Sequence, residues 1–394
     1  MKVIVNVSSV SPPITGIGNY SLNLVHALLR KPEIEDIRGF DVSGWFSREQ
    51  LSHRLEAFGA PAGLAGKAGT LSRYKMNAKA FARNIPGARS LKRRLVEHRF
   101  AQCSAGLAGY LYWEPNYLLF PFSGTRITTI HDLSHIHFPQ FHPKDRVKAL
   151  TRHLESSIQR SHHLVAVSEF SKQQIKEVFG VSDSDITVVH PAVAESYRMP
   201  RSEAELKAVR KHYGLPDKFV LSVGTLEPRK NLSGLIRAFE RLPDALQAEF
   251  PLVFVGAKGW LSEDIEKRVE ALVARRRAYR LGYVCAPDMP LLYSAASLFA
   301  YPSFYEGFGM PIAEAMAAGT AVLTSNVSAM PEVAGEAAEL VSPGEIGSIQ
   351  AGLQRVLEDD AYRAQLAHRG RLNAQQYSWS GSCDRLMEVF ARAR

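Results

Sequence analysis

The sequence predicts an α/β protein built from two facing, doubly wound, Rossmann-like domains. Three observations carry that expectation. A chain of 394 residues has room for two or three domains. Each half opens on a short apolar strand, then a glycine-bearing loop and a helix: Lys2–Val7 (KVIVNV) in the first half and Phe219–Val223 (FVLSV) in the second. A third strand–loop–helix, Tyr301–Thr320 (YPSFYEGFGMPIAEAMAAGT), sets two carboxylates around paired glycines. Elements alternating in this way pack as parallel sheets covered by helices, with the ligand in the cleft between domains. The expected division is 1–195, 196–375 and a terminal helix over 376–394, with His190–Pro200 as the linker.

Taken in order, the first strand leads into Ser8–Ser21 (SSVSPPITGIGNYS), and a helix is expected from about Ser21 to Arg30. Gly16 and Gly18 with Ser21 make a broken G-x-G-x-x-G. A dinucleotide fingerprint follows its strand at once, whereas eight residues, including Pro12 and Pro13, intervene here. The stretch reads either as a phosphate- or sugar-contacting loop or as a plain connection. Residues 67–99 hold ten Lys or Arg against one acidic residue, Glu97. Leu71, Tyr74, Ala78, Phe81, Ala82 and Ile85 gather on one helical face, with Arg73, Lys75, Lys79 and Arg83 outside it. Lys92, Arg93, Arg94 and Arg99 add a second basic cluster. The segment fits either an anionic membrane surface or a soluble helix docked on the first domain. Ala108–Tyr112 is a candidate strand and Trp113–Asn116 (WEPN) a turn. Arg126–Ile130 is a strand ending in His131-Asp132, at the carboxyl end where parallel sheets bind ligands. His135, His137 and His142 follow without a supporting carboxylate pattern and read as loop residues. Ser161–Val167 is a strand, and Ser168-Glu169-Phe170-Ser171 has helix-cap chemistry. Asp183-Ser184-Asp185 has the spacing of a metal–diphosphate motif, but it stands at a helix-to-strand connection and reads as a solvated turn.

In the second half, Gly224–Asn231 (GTLEPRKN) follows the strand and a helix begins near Leu232. Arg229 and Lys230 therefore stand near a helix start at a strand's carboxyl end, where two cations can hold a diphosphate. Leu252–Val255 is a further strand, Leu281–Val284 an edge-like one, and Pro287–Ala296 a loop and helix. In the stretch from Tyr301, Gly307 and Gly309 allow close backbone approach, and Pro311 suits a first helical turn. The N–H groups around Phe308–Met310 would attract an anion. Glu306 and Glu314 flank them, a combination suited to a sugar nucleotide. Val322–Ser325 is the next strand and Met330–Val333 its loop.

The Glu306-x7-Glu314 stretch, Arg229-Lys230-Asn231, the His131 strand end and the Val167-Ser168-Glu169 turn resemble the retaining glycosyltransferases of family 4, which have the two-domain GT-B fold. The resemblance is strongest from Phe219 to Ser342 and weak from Arg48 to Leu107. It implies transfer of a sugar from a nucleotide sugar with retention at the anomeric carbon. Glu314 would hold the ribose hydroxyls, Arg229 and Lys230 the diphosphate, and Glu306 and His131 the donor sugar. Gly16, Gly18, Tyr283, Val284, Gly307, Phe308, Gly309 and Met310 would complete the donor site, with Tyr283 and Val284 near the base. Trp113, Asn116, Asp132 and Ser168 are expected on the acceptor side. Tyr377-Ser378-Trp379 and the following helix resemble the family's last helix, which crosses back onto the first domain. The similar-looking members are bacterial mannosyl- and rhamnosyltransferases of lipopolysaccharide and exopolysaccharide assembly. GDP-mannose or a GDP-deoxymannose is thus the favoured donor and a UDP-sugar the second. A polyprenyl-diphosphate-linked glycan or a saccharide is the expected acceptor. No nucleophile is assigned.

Composition bounds these expectations. With 46% hydrophobic and 22% charged residues the chain is globular. It has no run of about 18 apolar residues and no apolar signal core at its start, so a cytoplasmic protein, peripheral on the inner membrane, is expected. Cys103, Cys285 and Cys383 are scattered, without metal or disulfide spacing. The net charge of +9 falls entirely within the first 200 residues. Sparse aromatic interleaving argues against nucleic acid. Neither cofactor nor metal is expected, and the oligomeric state is open. Two other classes remain: an NAD-dependent oxidoreductase using Gly16 and Gly18 with an acid near Glu33, and a non-catalytic sugar-binding subunit. The first leaves Arg229, Lys230, Glu306 and Glu314 without a role.

Overall fold

The computed structural model describes residues 1–11, 14–59, 88–257 and 263–394. The apolar face proposed over Leu71–Ile85 lies outside the described residues. Of the basic segment, the helix Ala88–Ser104 is described.

Two sheets form. The first comprises β1 (Lys2–Asn6), β2 (Asp36–Asp41), β3 (Gly44–Phe46), β4 (Leu111–Glu114), β5 (Thr125–Ile130), β6 (His163–Ala166) and β7 (Ile186–Val188), in the order β3-β2-β1-β4-β5-β6-β7. β1 runs parallel to β2 and β4, and β4 to β5, while β3 is antiparallel to β2. The second comprises β8 (Val220–Val223), β9 (Leu252–Val255), β10 (Ala278–Gly282), β11 (Leu298–Tyr301), β12 (Val322–Ser325) and β13 (Glu339–Val341), in the order β10-β9-β8-β11-β12-β13. Its pairings are parallel. This is the doubly wound order, and the direction of winding reverses between β8 and β11. Ligands of such sheets bind beyond the carboxyl ends of the strands at that reversal.

The chain divides into two compact units. One holds residues 1–129, 154–164 and 387–394; the other holds 130–153 and 165–386. In the first, Ile4, Phe40, Phe100, Tyr112, Leu119, Phe120 and Phe122 form an aromatic-rich core. In the second, Val220, Leu235, Phe239, Phe254, Leu298, Leu323 and Leu353 belong to a largely aliphatic core, and β9 and β11 are buried on both faces. That double burial is why these strands read as continuous apolar runs rather than alternating ones.

Several elements differ from expectation. The first helix is Gly16–Leu29, starting at Gly16 because Thr15 supplies an N-cap whose side chain accepts from the Gly18 N–H. Gly16 and Gly18 are thus in a first helical turn rather than in a loop. Trp113 and Glu114 belong to β4 rather than to a turn. Met330–Ala334 is a short helix, with Pro331 in its first turn. Asp183–Asp185, by contrast, is the exposed turn expected, of 3₁₀ form, and its Asp183 is paired with Lys172 and Lys176. β2 and β3 were not anticipated: β2 is short and mixed, and β3 has three residues.

Candidate active site

The reversal between β8 and β11 brings two loops together in the second unit. After β8 comes the 3₁₀ turn Pro228–Lys230, closed by Asn231, which takes a left-handed conformation (φ 55°). The Asn231 side-chain amide donates to the carbonyls of Pro302 and Pro343, at 3.0 and 2.8 Å, and so ties this turn to the loop after β11. Arg229 and Lys230 then meet Glu306. Arg229 Nη1 lies 2.7 Å from Glu306 Oε2, and Lys230 Nζ lies 2.7 Å from Glu306 Oε1. Arg229 also donates to Glu227, at 2.7 Å, and to the Tyr305 carbonyl, at 2.6 Å. Lys230 donates to the Tyr301 hydroxyl, which itself donates to Glu306 at 2.9 Å. Burial opposes ionisation of Glu306, but Arg229 and Lys230 outweigh it and hold its pKa down at about 2. Burial also lowers the Lys230 pKa, against the pull of Glu306. For Arg229, Glu306 and Glu227 overcome burial and raise the pKa further. Two half-buried cations are thus paired with two buried carboxylates.

His131 and Asp132 follow β5 within the same unit. His131 is buried, and a Cβ on Gly307 would fall 1.9 Å from its carbonyl oxygen. Only glycine permits that contact. The Gly307 carbonyl in turn accepts from Ser168 Oγ, at 2.6 Å, and from Ser171 Oγ, at 3.0 Å. Ser168, buried and capping the helix Glu169–Phe179, is therefore committed to backbone. Asp132 accepts from the Ser134 N–H and hydroxyl, at 2.9 and 2.6 Å. His142 Nε2 lies 2.9 Å from Ser134 Oγ. Burial would raise the Asp132 pKa, but Arg229 and these hydrogen bonds bring it down to about 2. Burial pushes His135 and His142 down to about 4, so both are neutral at ordinary pH. His135 and His137, read as loop residues, belong to the short helix Ser134–His137, while His142 follows the 3₁₀ turn Pro139–Phe141; His135 and His142 pack around Asp132. His137 packs against Tyr305 in a tilted arrangement, with ring centroids 5.9 Å apart.

The helix Met310–Ala317 begins at Gly309, whose φ of 99° demands glycine, and no side chain caps it. An uncapped helix start of this kind can accept an anion. Phe308 is buried at this turn and Met310 is half-buried. Glu314 accepts from the Tyr293 hydroxyl at 3.0 Å. Burial raises its pKa to about 7. Val284 is buried, while Tyr283 is 76% exposed. The structure therefore brings His131, Asp132, Ser168, Arg229, Lys230, Glu306, Gly307 and Gly309 together.

Gly16, Gly18, Trp113 and Asn116 belong to the other unit. Trp113 is fully buried, its indole N–H donating to Thr129 Oγ1 at 3.0 Å. The Asn116 N–H donates to Glu114 Oε1 at 3.0 Å. Asn6 and Tyr112 donate to Oε2 of the same buried carboxylate, at 2.7 and 2.6 Å. Sequence reasoning missed this Glu114 cluster, and also Glu227, Tyr301 and Glu332. Glu332 receives the N–H groups of Glu169 and Phe170 at 2.8 and 3.0 Å, which fills that helix N-terminus with a carboxylate of the chain itself. For Glu227 a signal existed, a carboxylate two residues before Arg229. Glu332, distant in sequence from Glu169, gave none.

Comparison with known proteins adds an independent line. A family model described as glycosyl transferases group 1 matches residues 207–373, and one described as glycosyltransferase family 4 matches residues 14–197. The O-antigen chain mannosyltransferase B of Escherichia coli is 34% identical over 392 residues, covering 99% of each chain. The serotype-specific mannosyltransferase WbdA of Escherichia coli is 29% identical over 242 residues, 60% of this chain and 29% of WbdA. Among solved structures, Anabaena HepE in complex with UDP and glucose aligns over 100% of both chains, with a TM-score of 0.71 at 18% identity. WaaG, a glycosyltransferase involved in lipopolysaccharide biosynthesis, aligns over 99% of both, with a TM-score of 0.70 at 14% identity. These structures share the fold.

Proposed function

Because this chain belongs to the family 4 glycosyltransferases, with their two Rossmann-like GT-B sheets, we propose that it moves a mannose- or rhamnose-type hexose from a GDP-linked sugar to a polyprenyl-diphosphate-linked or saccharide acceptor in O-antigen assembly. The observation that carries this is the Arg229–Lys230–Glu306 clamp at the carboxyl ends of β8 and β11. The 34% identity to an O-antigen mannosyltransferase along 99% of both chains supports the sugar and the acceptor class.

In this reading the donor diphosphate lies across Arg229, Lys230 and the open start of the helix Met310–Ala317. The cations are fixed before the diphosphate departs, which is the condition under which such groups lower a barrier. They take the place of a metal ion. Glu306, ionised between them, accepts a hydroxyl of the donor sugar, and Glu314 accepts the ribose hydroxyls. His131 borders the sugar through its contact with Gly307. We assign no protein nucleophile to the retaining step; the departing phosphate oxygen takes the acceptor's proton on the face it leaves. No helix among the described residues is long and apolar enough to cross a membrane, which is compatible with peripheral attachment at the cytoplasmic face.

The test is transfer from GDP-mannose, GDP-rhamnose and UDP-glucose to a lipid-linked acceptor, with and without EDTA, and with the product's anomeric configuration read by NMR. Transfer of mannose or rhamnose with retention, surviving EDTA, is expected. Exclusive use of the UDP-sugar would replace the donor assignment. Inversion, or loss in EDTA restored by Mn²⁺, would overturn the mechanism.

A further inference from the structure

A groove in the second unit has no part in the donor site. It runs along the helix Lys144–Arg160. Lys144, Lys148 and Arg152 recur every four residues and so share one helical face. All three are exposed, and none has an ion-pair partner among the described residues. With Pro139, Val147 and Thr151 they line an open groove of about 630 Å³, within the size range of small-molecule sites. Its walls are almost wholly carbon. The cations therefore line it with their aliphatic stems and carry their charges at the rim.

The groove is linked to the clamp by ring contacts and a backbone hydrogen bond. Pro139 opens the 3₁₀ turn Pro139–Phe141. Phe138 and Phe141 stack with centroids 5.5 Å apart, and Phe141 stacks on Phe304 at 5.7 Å. The Phe304 N–H donates to the Arg229 carbonyl at 2.9 Å. Ile136, just before this turn, leaves 37% of its surface in water.

Apolar walls beneath a row of unpaired cations match an anionic amphiphile. A free saccharide would find few hydrogen-bonding partners on carbon walls, and a neutral lipid would leave the cations unused. We propose that this groove binds the prenyl diphosphate portion of a lipid-linked acceptor, with the chain against Pro139, Val147 and Thr151 and the diphosphate on Lys144, Lys148 and Arg152. The assignment rests on the lipid-linked acceptor proposed above and names where that lipid is held.

The experiment is calorimetric titration with farnesyl diphosphate in saturating GDP, which keeps the probe out of the clamp. Farnesol and inorganic diphosphate serve as the separate halves of the probe. Farnesyl diphosphate is expected to bind at least tenfold more tightly than either half. The triple variant Lys144→Glu, Lys148→Glu, Arg152→Glu should weaken it at least tenfold, with GDP affinity and melting temperature unchanged. Val147→Trp, which fills the groove without altering charge, should weaken it as well. Parental affinity in the triple variant, inorganic diphosphate binding as tightly as the full probe, or no binding of farnesyl diphosphate would each overturn the assignment. If any of these occurs while GDP-mannose is still transferred to a lipid-linked acceptor, the groove fails and the proposed activity stands. Charge-dependent probe binding without transfer from any nucleotide sugar would reject the activity and retain the groove.

Discussion

Glu314 and Glu306 are carboxylates eight residues apart that burial and charge drive in opposite directions. Burial lifts Glu314 from about 4.5 to about 7, opposed by the Tyr293 hydroxyl. In that interval the folded chain keeps a proton that the unfolded chain has released, so this group's contribution to stability falls as pH rises from about 4.5 to about 7. Glu314→Gln should therefore raise the melting temperature relative to the parent near pH 8 and leave it unchanged near pH 4, as followed by calorimetry. Nucleotide binding should run the other way. Parent affinity for GDP should climb as the carboxylate forms, and that of Glu314→Gln should be lower and flat with pH. Charged hydrogen bonds contribute about 1.5–3 kcal/mol each, so Glu314→Ala should cost at least about tenfold in GDP affinity. A parent affinity independent of pH would separate Glu314 from the ribose. Glu306, with its pKa near 2, is ionised throughout this range and adds nothing to the profile.

At the level of the element, two loops act as one because backbone and side chain lock them together. A methyl group on Gly307 would collide with the His131 carbonyl, a backbone atom that cannot swing aside. Gly307→Ala should destabilise the protein by about 3 kcal/mol in urea titration, at the upper end of overpacking costs. A change below about 0.5 kcal/mol would mean that the loop readily moves. In the neighbouring loop, Arg229→Ala should lower turnover about 10²-fold. Arg229→Lys should not restore it, since one ammonium cannot reach Glu227, Glu306 and the Tyr305 carbonyl together. Sequence reasoning reached these loops because their glycines, proline and charges carry local signals. It placed β9 and β12 correctly: β9, buried on both faces, reads as an unbroken apolar run, and β12 opens on Val322-Leu323 before its polar end Thr324-Ser325. It could not reach what depends on partners distant in sequence. The hold of Asn231 on Pro302 and Pro343, the Glu332 carboxylate at the Glu169 helix start, and the packing of His135 and His142 around Asp132 leave no local pattern. Thr15, a single capping residue, was enough to move a helix start from Ser21 to Gly16.

Across the whole molecule, both sheets repeat the doubly wound strand order, which the two strand–loop–helix openings foretold; the antiparallel β3, with three residues, was too short to announce itself. The net charge of +9 is carried by the first 200 residues of the sequence, and the clamp, formed by later residues, does not share in it. Arg229 and Lys230 are already matched by Glu227 and Glu306, with the ionised Asp132 beside Arg229, so the clamp carries no excess positive charge before any ligand arrives. Two binding events should therefore separate under added salt, which shortens the Debye length from about 10 Å at 0.1 M to about 3 Å at 1 M. Capture of farnesyl diphosphate on the exposed row Lys144, Lys148 and Arg152 should weaken markedly over that range, while GDP affinity changes less than about threefold. Parallel loss of both would show that the donor pocket attracts its ligand by long-range charge. Insensitivity of GDP would leave a transferase whose acceptor is recruited by long-range charge and whose donor is recognised at contact distance alone.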